Sequence, residues 1–291
     1  MQHRETGEVM EEIHYRLPTR IRGAHPGFHR SNTIGGGNEF REHELLLRSP
    51  DPRRVDLHAS LKNPFGDLLV RVFNQRAAIS VSVVADLSAS MGAPGSRGKL
   101  KQLSKFISLL GYSVSRTGDR FGFIGCDENV RTEFLQPPMK RSAVADLVEK
   151  LDAFVPDGAS AEGLSCSSPY LGRTRGLVFL VSDYLFPEIL LRKTFERLSK
   201  HAVVPVMLSH TTEIDGPAAF GFVRVVDSET GRSSMIWLRP SLRKRIQVGY
   251  QNHRQNFERV CANYGLRPLL LEPSFSADDI TRYFYSAGSQ Q

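Results

Sequence analysis

Cysteine is scarce in this sequence, and long apolar runs are absent. The three cysteines, Cys126, Cys166 and Cys261, are odd in number and widely spaced, which excludes a disulfide framework and a CxxC metal pair. We interpret them as buried small side chains. No segment approaches the roughly 20 apolar residues that cross a bilayer, and residues 1–16 carry charges where a signal peptide is apolar. We therefore expect a cytoplasmic protein that does not insert into a membrane.

Basic residues outnumber acidic ones, with 38 against 31 and a formal net charge of +7. The excess is scattered, and we interpret its densest stretch, residues 239–260, as the solvated face of one helix. No sequence motif of a nucleic-acid-binding fold accompanies it, so nucleic acid is not an expected partner. A basic surface that faces an acidic protein stays open as an alternative. The apolar positions of this helix are Leu242, Ile246, Phe257 and Val260.

The chain changes its pattern near residue 76. Residues 1–15 are charged and aperiodic, which predicts a flexible tail. Residues 16–75 are rich in Gly, Pro, Arg and His, which predicts turns and short strands packed on the main domain. From 76 to 291, apolar strands alternate with amphipathic helices. This pattern predicts an α/β fold with a doubly wound, mainly parallel sheet, preceded by an irregular, partly β extension.

Within residues 76–291 we predict five strands, five helices and a hairpin at one sheet edge. The strands are at 77–86, 119–127, 175–183, 201–209 and 267–272, the helices at 99–114, 141–154, 186–200, 239–260 and 276–286, and the hairpin at 220–228 and 233–240. Ligands of such sheets bind outside the carboxyl ends of the strands. Two strands end there in an aspartate, Asp86 and Asp183.

The loop that follows Asp86 does not match the glycine-rich nucleotide-binding motifs. A phosphate-binding P-loop needs glycine where Ala93 stands and a hydroxyl where Leu100 stands. The dinucleotide motif G-x-G-x-x-G needs a closely spaced first pair, but the glycines here are three residues apart. The loop is therefore not expected to bind a nucleotide phosphate.

The same loop carries oxygen donors that suit a metal ion. Asp86, Ser88 and Ser90 alternate along a turn at the end of a strand, and Asp183 would add a second carboxylate through a water molecule. Hard oxygen donors with few charges favour Mg²⁺, with Mn²⁺ or Ca²⁺ as alternatives. Asp and Ser are also preferred helix N-caps, and spacing alone does not choose between a metal site and a cap.

The motif "DLSASMG", which begins at Asp86, resembles the D-x-S-x-S motif of the metal-ion-dependent adhesion site (MIDAS) in von Willebrand factor A-like (vWA) domains. In that family, a threonine from a second loop and an aspartate from a third complete the metal site. The resemblance assigns these positions to Ser160 and Asp183, with Asp157 as a second candidate ligand. Serine replaces the usual threonine at 160, which implies a weaker or more conditional site.

The segment before this motif carries a second pattern, formed by Gly27, His29, Arg54, Val55, Asp56, Ala59, Val70, Arg71 and Phe73 in this order. This pattern resembles that of the family named domain of unknown function 58 (DUF58), and the resemblance covers residues 27–185. Departures are Leu57, where tryptophan is usual, and Leu61, near a usual arginine. The sequence of this segment is most similar to that of the MxaS-like accessory proteins of methanol-oxidation gene clusters. We expect Arg54, Asp56, Arg71 and Arg76 to form salt bridges that dock this segment onto the sheet.

The resemblance implies a non-catalytic adaptor. Members of the family are encoded beside MoxR-type AAA+ ATPases and are thought to act with them as chaperone partners that mature a client protein. The metal would accept a carboxylate from that client. For the MxaS-like branch, the client implied is methanol dehydrogenase or its assembly machinery.

Two other classes of function remain as alternatives. One is a scaffold whose metal site has decayed, which Ser160 makes credible. The other is a metal-dependent hydrolase with Asp86 or Asp183 as base. A hydrolase needs a positioned base and a nucleophile, yet no histidine is close in sequence to either loop, and "GLSCS" at Gly163 does not complete a G-x-S-x-G elbow.

Overall fold

We describe a computed structural model of the chain for residues 11–15, 34–74, 78–92, 97–140, 143–209, 221–226, 233–238 and 240–286. Most of the predicted tail (1–15), together with Gly27, His29 and Arg76, lies outside the described residues. The chain divides into two compact units, one of residues 17–79 and one of residues 1–16 with 80–291. The two units are described separately below.

The unit of residues 17–79 is built on an antiparallel strand pair, β1 (Ile34–Leu45) with β2 (Leu69–Asn74). A short helix, α1 (Leu57–Lys62), lies between them in sequence. The carboxylate of Asp56 caps α1 by accepting the Ala59 N–H, and it also accepts the Arg71 guanidinium at 2.7 Å. Asp56 and Arg71 therefore form an ion pair within this unit, and Arg54 pairs with Asp51 in the same unit. These pairs are internal to the segment, whereas the sequence predicted salt bridges that dock it onto the sheet.

The second unit contains a six-stranded sheet in the order β10-β7-β6-β3-β4-β5, parallel except for the edge strand β5. The doubly wound α/β prediction is confirmed. The strands are β3 (Ser80–Asp86), β4 (Arg120–Cys126), β5 (Val130–Met139), β6 (Leu177–Ser182), β7 (Ala202–Leu208) and β10 (Leu269–Leu271). The helices are α2 (Ala89–Gly92), α3 (Arg97–Arg116), α4 (Val144–Ala153), α5 (Glu188–Leu198), α6 (Pro240–Asn263) and α7 (Ala277–Ser286).

Both faces of this sheet are covered, since nearly every residue of β3, β4 and β6 is buried. On one face, Phe179 of β6 contacts Phe106 of α3 and Phe284 of α7, with ring centroids 5.3 and 6.1 Å apart. On the other face, Leu180 belongs to a buried cluster that includes Phe257 of α6. Successive side chains along a strand point to opposite faces, so each buried strand contacts both layers of helices.

Three predictions about the second unit need correction. Strand β5 was not predicted, since its polar, proline-containing sequence suits only a sheet edge. The predicted hairpin forms from β8 (Gly221–Val226) and β9 (Ser233–Leu238), but as a separate two-stranded sheet rather than at an edge of the six-stranded one. Cys126 and Cys261 are buried as expected, but Cys166 is exposed because it ends a surface 3₁₀ turn.

The basic helix α6 is buried only in its second half. Phe257, Val260 and Cys261 are buried, whereas Ile246 is 43% exposed, so the predicted apolar stripe is covered only near its carboxyl end. In the described part of the chain, no helix has both the length and the apolar character needed to cross a bilayer.

Candidate functional site

The candidate site lies where the sheet order reverses, at the carboxyl ends of β3 and β6. Asp86 is the last residue of β3 and is fully buried. Its Oδ1 atom accepts the backbone N–H of Ser88 at 2.9 Å, and its Oδ2 atom accepts the hydroxyl of Ser182 at 2.7 Å. Burial, and next the negative charge of Asp183, raise the pKa of Asp86 to about 6.

Ser88 lies in the turn that follows Asp86, and Ser90 lies in the first turn of α2. Their Oγ atoms are 3.2 Å apart, and both residues are buried. Asp86 shapes this turn by holding the N–H two residues later, and Ser88 immediately precedes α2. A local structural role and a ligand role therefore use the same residues, and the structure brings Asp86, Ser88 and Ser90 together.

Asp183 lies at the neighbouring strand end, directly after β6. Its Oδ1 atom accepts the N–H of Leu185 at 3.0 Å, and its Oδ2 atom accepts the Nζ of Lys99 at 2.9 Å. Tyr184 has a φ of 58°, and its hydroxyl donates to the carbonyl of Leu180 at 2.6 Å. These bonds hold the turn that carries the Asp183 carboxylate.

Lys99 is a residue of this site that the sequence analysis missed. Its side chain is 3% exposed, and that of Asp183 is 4% exposed, so their ion pair is buried. A signal was present in the sequence: Lys99 precedes Leu103, Phe106 and Leu110 at helical spacing, which places it on the buried face of α3.

The loop that carries Ser160 lies against the serine turn. Ser88 forms a parallel bridge with Gly158, and the N–H of Ala89 donates to the Gly158 carbonyl at 2.8 Å. Ser160, two residues further on, is half-buried. A side chain at Gly158 would lie 2.5 Å from the Cβ of Asp127, so this close approach needs glycine.

Asp157, the second candidate ligand in this loop, is paired elsewhere. Its carboxylate is 78% exposed and accepts the Arg131 guanidinium at 2.7 Å. Arg131 also binds Asp127 and Glu133, and it stacks over the Phe154 ring at 4.9 Å. This group of charged side chains, which the sequence analysis did not find, anchors the Ser160 loop to β5.

The oxygen donors here fit a hard divalent cation in their chemistry, since two carboxylates and serine hydroxyls lie at adjoining strand ends. Among the described residues, no cluster of three or more His, Cys, Asp or Glu side chains offers a metal site. A metal would therefore depend on the hydroxyls of Ser88 and Ser90 as well as on Asp86 and Asp183. The Lys99 ammonium already binds one of these carboxylates.

A histidine does reach the site through the fold. The Nε2 atom of His253, on α6, is 3.2 Å from the backbone carbonyl of Asp183. A ring nitrogen that faces a carbonyl oxygen must donate its proton, so this atom serves as a donor and not as a base. The Nε2 atom of His253 therefore does not provide the base that the hydrolase interpretation needs.

Comparisons with solved structures give vWA-like and other matches of low similarity. An aerotolerance-related membrane protein from Bacteroides fragilis NCTC 9343, with multiple mutations to serines, is 11% identical, and the match covers 72% of this chain and 98% of that one with a TM-score of 0.43. The vWF domain of the pilus tip protein Mfa5 from Porphyromonas gingivalis is 23% identical, with 37% and 38% covered and a TM-score of 0.29.

Proximal thread matrix protein 1 from the mussel byssus, whose MIDAS motif is occupied by zinc, is 18% identical, with 45% of this chain and 38% of that chain covered and a TM-score of 0.33. No curated protein matches the sequence. The model of the family described as "Protein of unknown function DUF58" matches residues 51–256. Since this match spans well over half of the chain, the protein belongs to the DUF58 family.

Proposed function

We propose that this protein is a non-catalytic adaptor that binds other proteins through the Asp86–Ser88–Ser90 turn and Asp183. The observation that supports this is the convergence of two buried carboxylates and two serine hydroxyls at the point where the sheet order reverses. A polar site at the carboxyl ends of central strands suits the binding of a ligand or a partner protein. The partners proposed are a MoxR-type AAA+ ATPase and, in the cytoplasm, a client that offers a carboxylate, with methanol dehydrogenase or its assembly machinery as the client class.

The metal is part of this proposal. Asp86, Ser88, Ser90 and Asp183 would hold Mg²⁺, with Mn²⁺ or Ca²⁺ as alternatives, and Ser160 would supply a further hydroxyl. When bound, the ion would supply an open coordination position for a carboxylate of the partner. The protein's own residues hold these ligands: Ser182 orients Asp86, and the backbone N–H groups of Leu185 and Tyr184 hold the Asp183 turn.

The test is a pull-down with a purified MoxR-type ATPase from the same genome, in Mg²⁺ and in EDTA. The variant Asp86→Asn with Ser88→Ala removes a charge and a hydroxyl while it keeps the volume of residue 86. Asp278→Asn, an exposed site on α7, is the matched control. The adaptor proposal expects binding that needs both Mg²⁺ and the intact turn. Equal binding by the variant and in EDTA contradicts it.

A metal-independent scaffold is a second candidate, and one observation favours it. The Lys99 ammonium supplies a positive charge to Asp183 from within the chain. A scaffold would bind its partner equally well in Mg²⁺ and in EDTA, so the same pull-down separates the two functions.

A further inference from the structure

Lys99 places a positive charge inside the candidate metal site. Lysine is almost never fully buried unless it is paired, yet this side chain is 3% exposed with its Nζ 2.9 Å from Asp183 Oδ2. The residue lies near the start of α3, whose apolar face packs on the sheet. The helix therefore places the Lys99 ammonium at the carboxyl end of β6.

The charges at this site explain why a cation is needed. Asp86 and Asp183 are two buried carboxylates at the ends of neighbouring strands. Without a positive charge, both would be buried among few compensating groups, which is strongly unfavourable. Lys99 balances one of them in the metal-free chain.

A divalent ion and the Lys99 ammonium would repel each other if both bound the Asp183 carboxylate. Both would lie within a few ångströms of Asp183 among buried side chains, where repulsion between like charges is poorly screened. Both Asp183 oxygens have a partner, Oδ1 the Leu185 N–H and Oδ2 the Lys99 ammonium, so a second cation at this carboxylate would meet the ammonium.

We propose that Lys99 is a built-in competitor of the metal ion. The ammonium holds Asp183 when no metal is bound, and a divalent ion enters only when the Lys99–Asp183 pair opens. The site thus alternates between an internal and an external cation. This inference rests on the proposed metal site, and it adds that metal affinity is set by a residue outside the ligand set.

The first test uses the wild-type chain and needs no variant. Lysines are acylated with an amine-reactive ester, with and without saturating Mg²⁺, and the modified peptides are quantified by mass spectrometry. Lys101, exposed on the same helix, is the internal reference. We expect acylation of Lys99 to rise several-fold with Mg²⁺ while that of Lys101 stays constant. Unchanged protection of Lys99 at a Mg²⁺ concentration shown by calorimetry to saturate the site overturns the inference.

The second test measures Mg²⁺ affinity by titration calorimetry in wild type, Lys99→Met and Lys101→Met. We expect Lys99→Met to bind Mg²⁺ roughly tenfold more tightly or better, because the competing charge is gone, and Lys101→Met to match wild type. If Lys99→Met binds Mg²⁺ while wild type and Lys101→Met do not, this result also supports competition. Equal or weaker binding by Lys99→Met overturns the inference but leaves the metal site in place. Absence of binding in all three proteins overturns the metal site and the inference together.

Discussion

The hydroxyl of Ser182 donates a hydrogen bond of 2.7 Å to the carboxylate of Asp86, which lies 96 residues earlier in the chain. The Oγ atom of Ser182 also accepts the backbone N–H of Tyr184 at 2.8 Å. One buried side chain therefore connects the two aspartate-bearing strand ends, and it fixes the Asp86 carboxylate independently of any bound ion.

Ser182→Ala removes both bonds and leaves a buried carboxylate and a buried N–H each without one partner. We expect the free energy of unfolding to fall by about 2–4 kcal/mol, measured by urea denaturation in EDTA. Ser168→Ala is the control, because its hydroxyl donates to the Arg197 carbonyl at an exposed position; its cost should stay within about 0.5 kcal/mol. Equal effects of the two substitutions would show that Ser182 does not support the site.

Lys99→Met leaves the buried Asp183 carboxylate without its ammonium partner. We expect a loss of about 3–5 kcal/mol in the free energy of unfolding in EDTA. The double variant Lys99→Met with Asp183→Asn should recover most of this loss, because no unpaired charge remains. Lys101→Met, on the exposed side of α3, should be close to wild type. A double variant as unstable as the single one would show that the loss does not come from the charge.

Gly158→Ala tests the contact between the Ser160 loop and the serine turn. The new Cβ would lie 2.5 Å from the Cβ of Asp127, so the loop must shift away from Ser88. We expect a destabilisation of about 1–3 kcal/mol and weaker Mg²⁺ binding by calorimetry.

Gly249→Ala is the matched control for this substitution. Gly249 lies within α6 and has no neighbouring atom within 4 Å of the added Cβ. Alanine there should stabilise the helix by up to about 1 kcal/mol. If Gly158→Ala also leaves stability and Mg²⁺ binding unchanged, the loop contact is not a constraint on the site.

The ionisation of Asp56 predicts that the stability of the unit of residues 17–79 depends on pH. The Arg71 guanidinium, then the Ala59 N–H and His43, hold the pKa of the Asp56 carboxyl well below its usual range. Because this pKa is lower in the folded chain than in the unfolded one, the charged carboxylate stabilises the fold above the usual carboxyl pKa, and this contribution is lost as the pH falls.

The measurement is urea denaturation of wild type and Asp56→Asn across the acidic range. We expect wild type to be the more stable at pH 7 and the difference to shrink as the pH falls from about 5 to about 3. Asp67→Asn, at an exposed position in the same unit, should show no such narrowing. A difference that stays constant with pH would mean that the ion pair with Arg71 does not stabilise the unit.

Much of the fold could be predicted from the sequence because its signals are local. Residues 177–181 are apolar at every position, which only a strand covered on both faces tolerates, and residues 79–85 are apolar at every second position. Strand β5 was missed because an exposed edge strand needs no apolar alternation. The β8–β9 hairpin was predicted, but its separation from the six-stranded sheet was not, because neither strand's sequence shows which other strand its free edge meets.

The apolar runs in the sequence suffice to predict where the central strands end, and thus that Asp86 and Asp183 lie at the carboxyl ends of neighbouring strands. The groups that surround these two aspartates depend on the packing of distant segments. Lys99 reaches Asp183 across 84 residues of chain, and Arg131 reaches Asp157 across 26. A charged side chain is compatible in sequence with both solvent and a buried pair, and the choice depends on which partner the packing of distant segments brings within reach.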